Sequence, residues 1–221
     1  MRFVGALLLL AACPGPHSNP DAAIDAPVDA MCAGELFLTG AYVDWDSTDA
    51  SFHGVAFATF FLDAQHMDQA SPNGRIEMCI PATGRSNITV TSNAGDTHLP
   101  GRFVADPAVF ANGRIFAARG ITPVRAASFF TAQSLTYDDT KADLVVEQLG
   151  GPVALTLTGA TAEATLTSND GIAWAAGADG KFVLFANVTV TGTPHVEGPA
   201  IGAGDVPMSN GEWTMTTVVG S

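Results

Sequence analysis

Four short segments of this chain alternate apolar residues with threonine: Ile88-Thr89-Val90-Thr91, Leu155-Thr156-Leu157-Thr158, Ala164-Thr165-Leu166-Thr167 and Val188-Thr189-Val190-Thr191. Successive side chains of a strand point to opposite faces, so a period of two gives one face to a core and the other to water. β-Branched residues suit that pleated, half-buried surface. Residues 36–45, 55–62, 76–80, 144–149, 182–185 and 213–219 read as further strands. Asn73-Gly74 and Asp179-Gly180 are turn signals, because these pairs accept positive φ. One helix is expected: Thr122 is a good N-cap, Pro123 fits the first helical position, and 124–134 is rich in Ala, Phe and Gln. The pattern predicts an all-β fold of two β-sandwich-like units, 32–106 and 143–221, with one short linking helix in a linker at 107–142.

Residues 1–31 differ in kind. Arg2 precedes a ten-residue apolar run from Phe3 to Ala12, which is the plan of a secretory signal. A helix needs roughly 20 apolar residues to cross a bilayer, so this run is too short to be a span. Leu10-Ala11-Ala12-Cys13 resembles the lipobox of bacterial lipoproteins. That resemblance implies a signal peptide at 1–12 and a mature N-terminus at Cys13 carrying diacylglycerol and a further acyl chain such as palmitate. Two or more chains give stable anchoring where one gives only marginal binding. Residues 14–31 follow, with Pro27 inside an alanine-rich stretch and Asp21, Asp25 and Asp29 spaced at i, i+4. Proline and stacked like charges both oppose a helix. As a coil the segment is a disordered tether whose ends lie roughly 20–25 Å apart. The implied place is the cell envelope, lipid-anchored to a membrane and facing the periplasm or the cell surface.

The chain has 9 basic and 22 acidic residues, a formal net charge of −13. That excess repels phosphate backbones and anionic lipid surfaces, which argues against nucleic acid as a partner. Apolar residues make up 47% against 14% charged, enough to bury a sizeable core. Besides Cys13, Cys32 and Cys79 remain. An even pair in an oxidising compartment suggests a disulfide, with two free buried thiols as the alternative. In the strand at 76–80, Ile76, Met78 and Ile80 share one face, and Cys79 lies on the other with Glu77.

Leu38-Thr39-Gly40-Ala41-Tyr42-Val43-Asp44, Gly54-Val55, Pro72-Asn73-Gly74-Arg75-Ile76-Glu77-Met78-Cys79-Ile80-Pro81 and Ile88-Thr89-Val90 form an ordered series. It resembles the carboxypeptidase regulatory-like, transthyretin-like β-sandwich domain over about 60 residues. Ile76 stands where that family has an aromatic residue after the turn. The resemblance implies a non-catalytic accessory module of exported proteins that bind partners or support a neighbouring domain.

No GxSxG, HExxH, CxxC or P-loop motif occurs, and the five histidines show no ligand spacing. The densest polar cluster is the loop Asp44-Trp45-Asp46-Ser47-Thr48-Asp49. Alternating carboxylates suit a hard cation such as calcium, and Trp45 offers a stacking surface to a sugar. The same residues also read as a solvated turn with Asx capping and a tryptophan closing the sandwich end. The sequence thus points to a non-enzymatic envelope lipoprotein that binds protein or glycan. Its alternatives are a purely structural part of an envelope complex and, more remotely, a carbohydrate- or peptide-active enzyme. Asp44, Trp45, Asp46 and Asp49 are the candidate ligand or calcium residues, and no other cofactor is expected.

Overall fold

The alternating segments become strands of two sheets, in a computed structural model that describes residues 32–47 and 53–220. The expected signal peptide, Cys13 and the tether at 14–31 lie outside the described residues. In chain order the elements are β1 (Leu36–Asp44), β2 (Thr59–Phe61), β3 (Met67–Gln69), β4 (Arg75–Ile80), β5 (Ser86–Thr91) and β6 (Gly101–Ala105). Helix α1 (Pro107–Phe110), β7 (Phe116–Gly120) and α2 (Pro123–Thr131) follow. The second half holds β8 (Ala142–Gly150), β9 (Thr156–Thr161), β10 (Ala164–Ser168), β11 (Ala175–Ala176), β12 (Phe182–Glu197), β13 (Ala200–Ile201), β14 (Gly204–Asp205) and β15 (Trp213–Gly220).

The fold is all-β, with two sandwich-like packings on opposite faces of one large sheet. A small sheet of order β4-β1-β7 covers one face. The large sheet runs β11-β10-β12-β8-β15-β6-β5-β2-β3, with β9 and β14 added to β12 and β13 to β15. Its centre, β8 and β15, pairs in parallel from Trp213↔Asp143 to Gly220↔Gly150. Parallel strands of this kind are covered on both faces, and seven successive residues of each are buried. Val145, Trp213 and Met215 belong to the core under the small sheet, with Phe60, Phe103, Phe116, Phe129 and Leu184. Leu144, Val146, Val183, Phe185 and Val218 form a second core on the opposite face.

The sequence segments 32–106 and 143–221 meet in that sheet, where β6 of the first pairs in parallel with β15 of the second. The linker at 107–142 holds the expected helix, α2, capped by the Thr122 hydroxyl, which accepts from the Arg125 N–H at 3.3 Å. The linker also carries β7, which pairs in parallel with β1 and completes the small sheet. Of the four threonine segments, 88–91 keeps its threonines at the surface and Ile88 and Val90 in the core. In 188–191 only Val188 is buried, and Val190 is 38% exposed because the strand has left the sheet by then.

That departure happens at Asn187. The pairing of β12 with β8 shifts register between Phe185 and Val188, and Asn187 takes φ +48°, a region that Asn tolerates better than most residues. Up to Val188 β12 pairs with β10 and β8; from Thr189 on it pairs with β9 and β14. Asn187 is buried and fully engaged. Its N–H donates to Asp143 Oδ1 at 2.8 Å, and its Nδ2 donates to the Thr136 carbonyl and to Glu163 Oε2, each at 2.7 Å. Its Oδ1 accepts from the Asp138 N–H at 3.1 Å.

Asp143 is almost fully buried, and burial pushes its carboxyl up to about 7. A carboxyl raised in this way contributes its stability below the unfolded value of 3.8 and loses it as pH rises through about 7. Asp143→Asn keeps an acceptor for the Asn187 N–H and removes the buried charge. Thermal melts should therefore find the variant equal to wild type below pH 4 and more stable by about 2–4 kcal/mol at pH 8. A constant difference across that range would contradict the assignment.

Candidate functional site

The loop after β1 is built on its own carboxylates. Asp44 Oδ1 accepts from the Asp46 N–H at 2.9 Å, an Asx turn, and Asp44 Oδ2 lies 3.1 Å from His98 Nε2. The other ring nitrogen of His98 meets Asp96. Asp46 points elsewhere, to Arg125 on α2, with an Nη2–Oδ1 distance of 2.6 Å. Trp45 is buried: its Nε1–H donates to the Gly171 carbonyl at 2.8 Å, and its ring packs against Phe129, Trp174, Phe182 and Trp213. Arg119 ties the loop down by donating to the Trp45 and Ser47 carbonyls at 3.3 and 3.1 Å.

The structure thus places Asp44 against His98 and Asp46 in an ion pair with Arg125, and gives Trp45 to the core. Asp49 lies outside the described residues. Among the described residues no group of three or more His, Cys, Asp or Glu side chains is arranged to hold a metal ion.

A second polar region sits where the free edges of the two sheets approach each other. β3 ends the large sheet and β4 ends the small one. The turn between them is tight: the Ser71 N–H donates to the Arg75 carbonyl at 2.9 Å and the Gly74 N–H to the Ser71 carbonyl at 2.8 Å. Gly74 takes φ +82°, and a Cβ there would collide with the Tyr42 carbonyl. Past this turn the strands diverge. Instead of a ladder, the Asp68 carboxylate accepts the Glu77 N–H at 2.7 Å. The result is a groove of about 430 Å³. Phe37, Gln65, Met67, Gln69, Arg75 and Glu77 line it, joined by Cys79.

Cys79 forms the disulfide with Cys32, at a Cα–Cα distance of 5.5 Å and a sequence separation of 47. Closing a loop of that length stabilises the fold by about 4 kcal/mol in the chain-entropy treatment. The bridge fixes the start of the described chain to the outer strand of the small sheet, beside the groove.

His66 ties the same corner together. Its Nε2 is 2.7 Å from Glu35 Oε1 and its Nδ1 is 2.7 Å from Asp63 Oδ1. The hydrogen bond to Glu35, then that to Asp63, hold its pKa above the ordinary histidine value. The groove combines planar amides, a guanidinium–carboxylate pair, a phenyl ring and a thioether, which is the equipment of a surface that orients a polar ligand on an apolar floor. The sequence alone does not reveal it, because its residues come from β1, the β2–β3 loop, β3 and β4 and meet only in the folded chain.

No known family model matches the chain, and no curated protein or solved structure matches it either.

A histidine whose folded pKa is raised contributes its stability below about pH 6.5 and loses it as pH rises through the folded value. Urea unfolding of wild type and His66→Gln should therefore show a larger stability gap at pH 6 than at pH 9. An equal gap at both pH values would mean that the two carboxylates do not stabilise the imidazolium.

Proposed function

We propose that this chain is an exported lipoprotein, anchored through Cys13 and non-catalytic, whose β domain binds an envelope protein or glycan. The groove between β3 and β4 carries this reading. It is a concave surface at the margin of two rigid sheets, where binding surfaces commonly lie. Its walls combine hydrogen-bonding groups with Phe37, Met67 and Met78. The acidic loop is the weaker candidate, since Asp44 and Asp46 are occupied by His98 and Arg125 and Trp45 is buried. A calcium role for that loop has no support beyond its composition.

Two sequence features favour the envelope. The run from Phe3 to Cys13 reads as a lipoprotein signal, and the acidic, proline-interrupted 14–31 reads as a spacer. The disulfide suits an oxidising compartment. The resemblance of the first unit to carboxypeptidase regulatory-like domains fits an accessory role. The charge of −13 disfavours nucleic acid.

Two measurements test the proposal. A fatty-acid probe should label the wild-type chain in cells and fail to label Cys13→Ala; label retained by the variant would remove the anchor. For the groove, a photo-crosslinking residue at Gln65 should trap an envelope component in living cells, whereas one at the exposed Asp179 should not. No adduct from Gln65, or the same adducts from both positions, would refute the groove as the binding surface and favour the structural role.

A further inference from the structure

His66 stands at one corner of the groove with a carboxylate on each side of its ring. Nε2 lies 2.7 Å from Glu35 Oε1, and Nδ1 lies 2.7 Å from Asp63 Oδ1. An ionised carboxylate only accepts, so both contacts are hydrogen bonds only when both ring nitrogens carry protons. That form is the imidazolium. A neutral imidazole has one N–H, and its other nitrogen then turns a lone pair toward a carboxylate.

The two contacts differ in what else holds them. Asp63 belongs to the same turn, and its Oδ1 also accepts from the Gln65 N–H at 2.8 Å and the His66 N–H at 3.0 Å. The turn is closed further by the Leu62 N–H, which donates to the His66 carbonyl at 3.0 Å. Asp63 therefore stays beside the ring in either protonation state. Glu35 comes from another segment. Its N–H donates to the Cys32 carbonyl at 3.0 Å, and Cys32 is fixed to β4 by the disulfide. Loss of a proton thus falls on the Glu35 contact, the one that ties the turn to the small sheet.

The other charged groups of this corner are engaged with one another. Asp68 accepts the Glu77 N–H at 2.7 Å, and the Arg75 guanidinium pairs with the Glu77 carboxylate. Among the described residues, Glu35 and Asp63 are the charges that face the ring, and hydrogen bonds to them hold its pKa above the ordinary histidine value. Gln65 and Met67, on either side of His66, belong to the wall of the groove.

We infer that His66 is a pH-operated latch on the groove: as an imidazolium it pins the turn at 62–67 to Glu35 and the small sheet, and as a neutral ring it lets the turn go. At low pH the latch is closed and the wall is fixed. As pH rises and the ring loses its proton, the Glu35 contact is lost, and Gln65 and Met67 gain freedom. The consequence for binding rests on the reading of the groove as the binding surface. The latch is measured without a ligand, so it and that reading fail separately.

Nuclear magnetic resonance of the full chain in detergent micelles tests this. The His66 ring should titrate with a midpoint above that of an ordinary histidine, and the Gln65 and Met67 amides should shift with the same midpoint. Backbone order parameters at 64–67 should fall from about 0.85 at pH 6 to below about 0.6 at pH 9, while those of β4 stay unchanged. Glu35→Gln supplies an amide that can accept from a ring N–H or donate to a bare ring nitrogen, so it holds either form of the ring. In that variant the turn should be as ordered at pH 9 as at pH 6, although His66 still titrates. A wild-type turn equally ordered at both pH values overturns the inference. So does a Glu35→Gln turn that loosens with pH as the wild type does.

Discussion

Asn187 holds a long strand in two places at once. β12 spans Phe182–Glu197 and would, if straight, carry its second half out past the sheet with nothing to cover it. The bulge redirects it, and the Asn187 side chain fixes the bulge by bonding to Thr136 and Asp138 in the loop before β8 and to Glu163 before β10. The redirected half, with β9 and β14, then lies over Leu144, Val146, Val183 and Val218 and closes the second core. That cover is what buries β8 and β15 on both faces. The small sheet and α2 pack against a sheet that already depends on this fold-over.

The network pulls in two directions. The Asn187 N–H and side-chain amide are all hydrogen-bonded, but Asp143, which accepts the N–H, is a carboxyl in a buried place with no cation against it. Two other buried polar side chains of the sheet are paired. Gln148 is engaged at both ends, through Val153 and Gly180, and Thr216 donates to the Val104 carbonyl. Asp143 is therefore a point where the centre of the sheet gives up stability near neutral pH, at the bulge on which the cover depends.

Much of the architecture was legible in the sequence. The alternation of 88–91 and the apolar runs at 36–45, 76–80 and 213–219 became strands near their expected bounds. The Thr122–Pro123 cap started a helix where expected. The Cys32–Cys79 pair closed as a disulfide. Other features were hidden for physical reasons. β7, Phe-Ala-Ala-Arg-Gly, alternates weakly, and its partner β1 lies far back in the chain. The residues of a bulge look like any others in sequence, so the bend at Asn187 left the segment 188–191 resembling an ordinary half-buried strand. Asp44, Trp45 and Asp46 formed a suggestive cluster, but their partners, His98, Gly171 and Arg125, come from distant segments. The groove was least legible of all, because Asp68 and Glu77 meet only where two sheets fail to join.

The claim that Asn187 couples the two halves of β12 is tested by amide hydrogen exchange on Asn187→Ala. The substitution removes the side-chain bonds to three residues in two segments and the tolerance for positive φ, and should lower stability by roughly 3 kcal/mol. Protection should fall in β9, in β14 and in residues 189–197, while 182–186 and the central strands β8 and β15 exchange as slowly as the reduced global stability allows. If β9 and residues 189–197 keep wild-type protection relative to β8, the bulge is not held by Asn187 and the account of the cover is wrong.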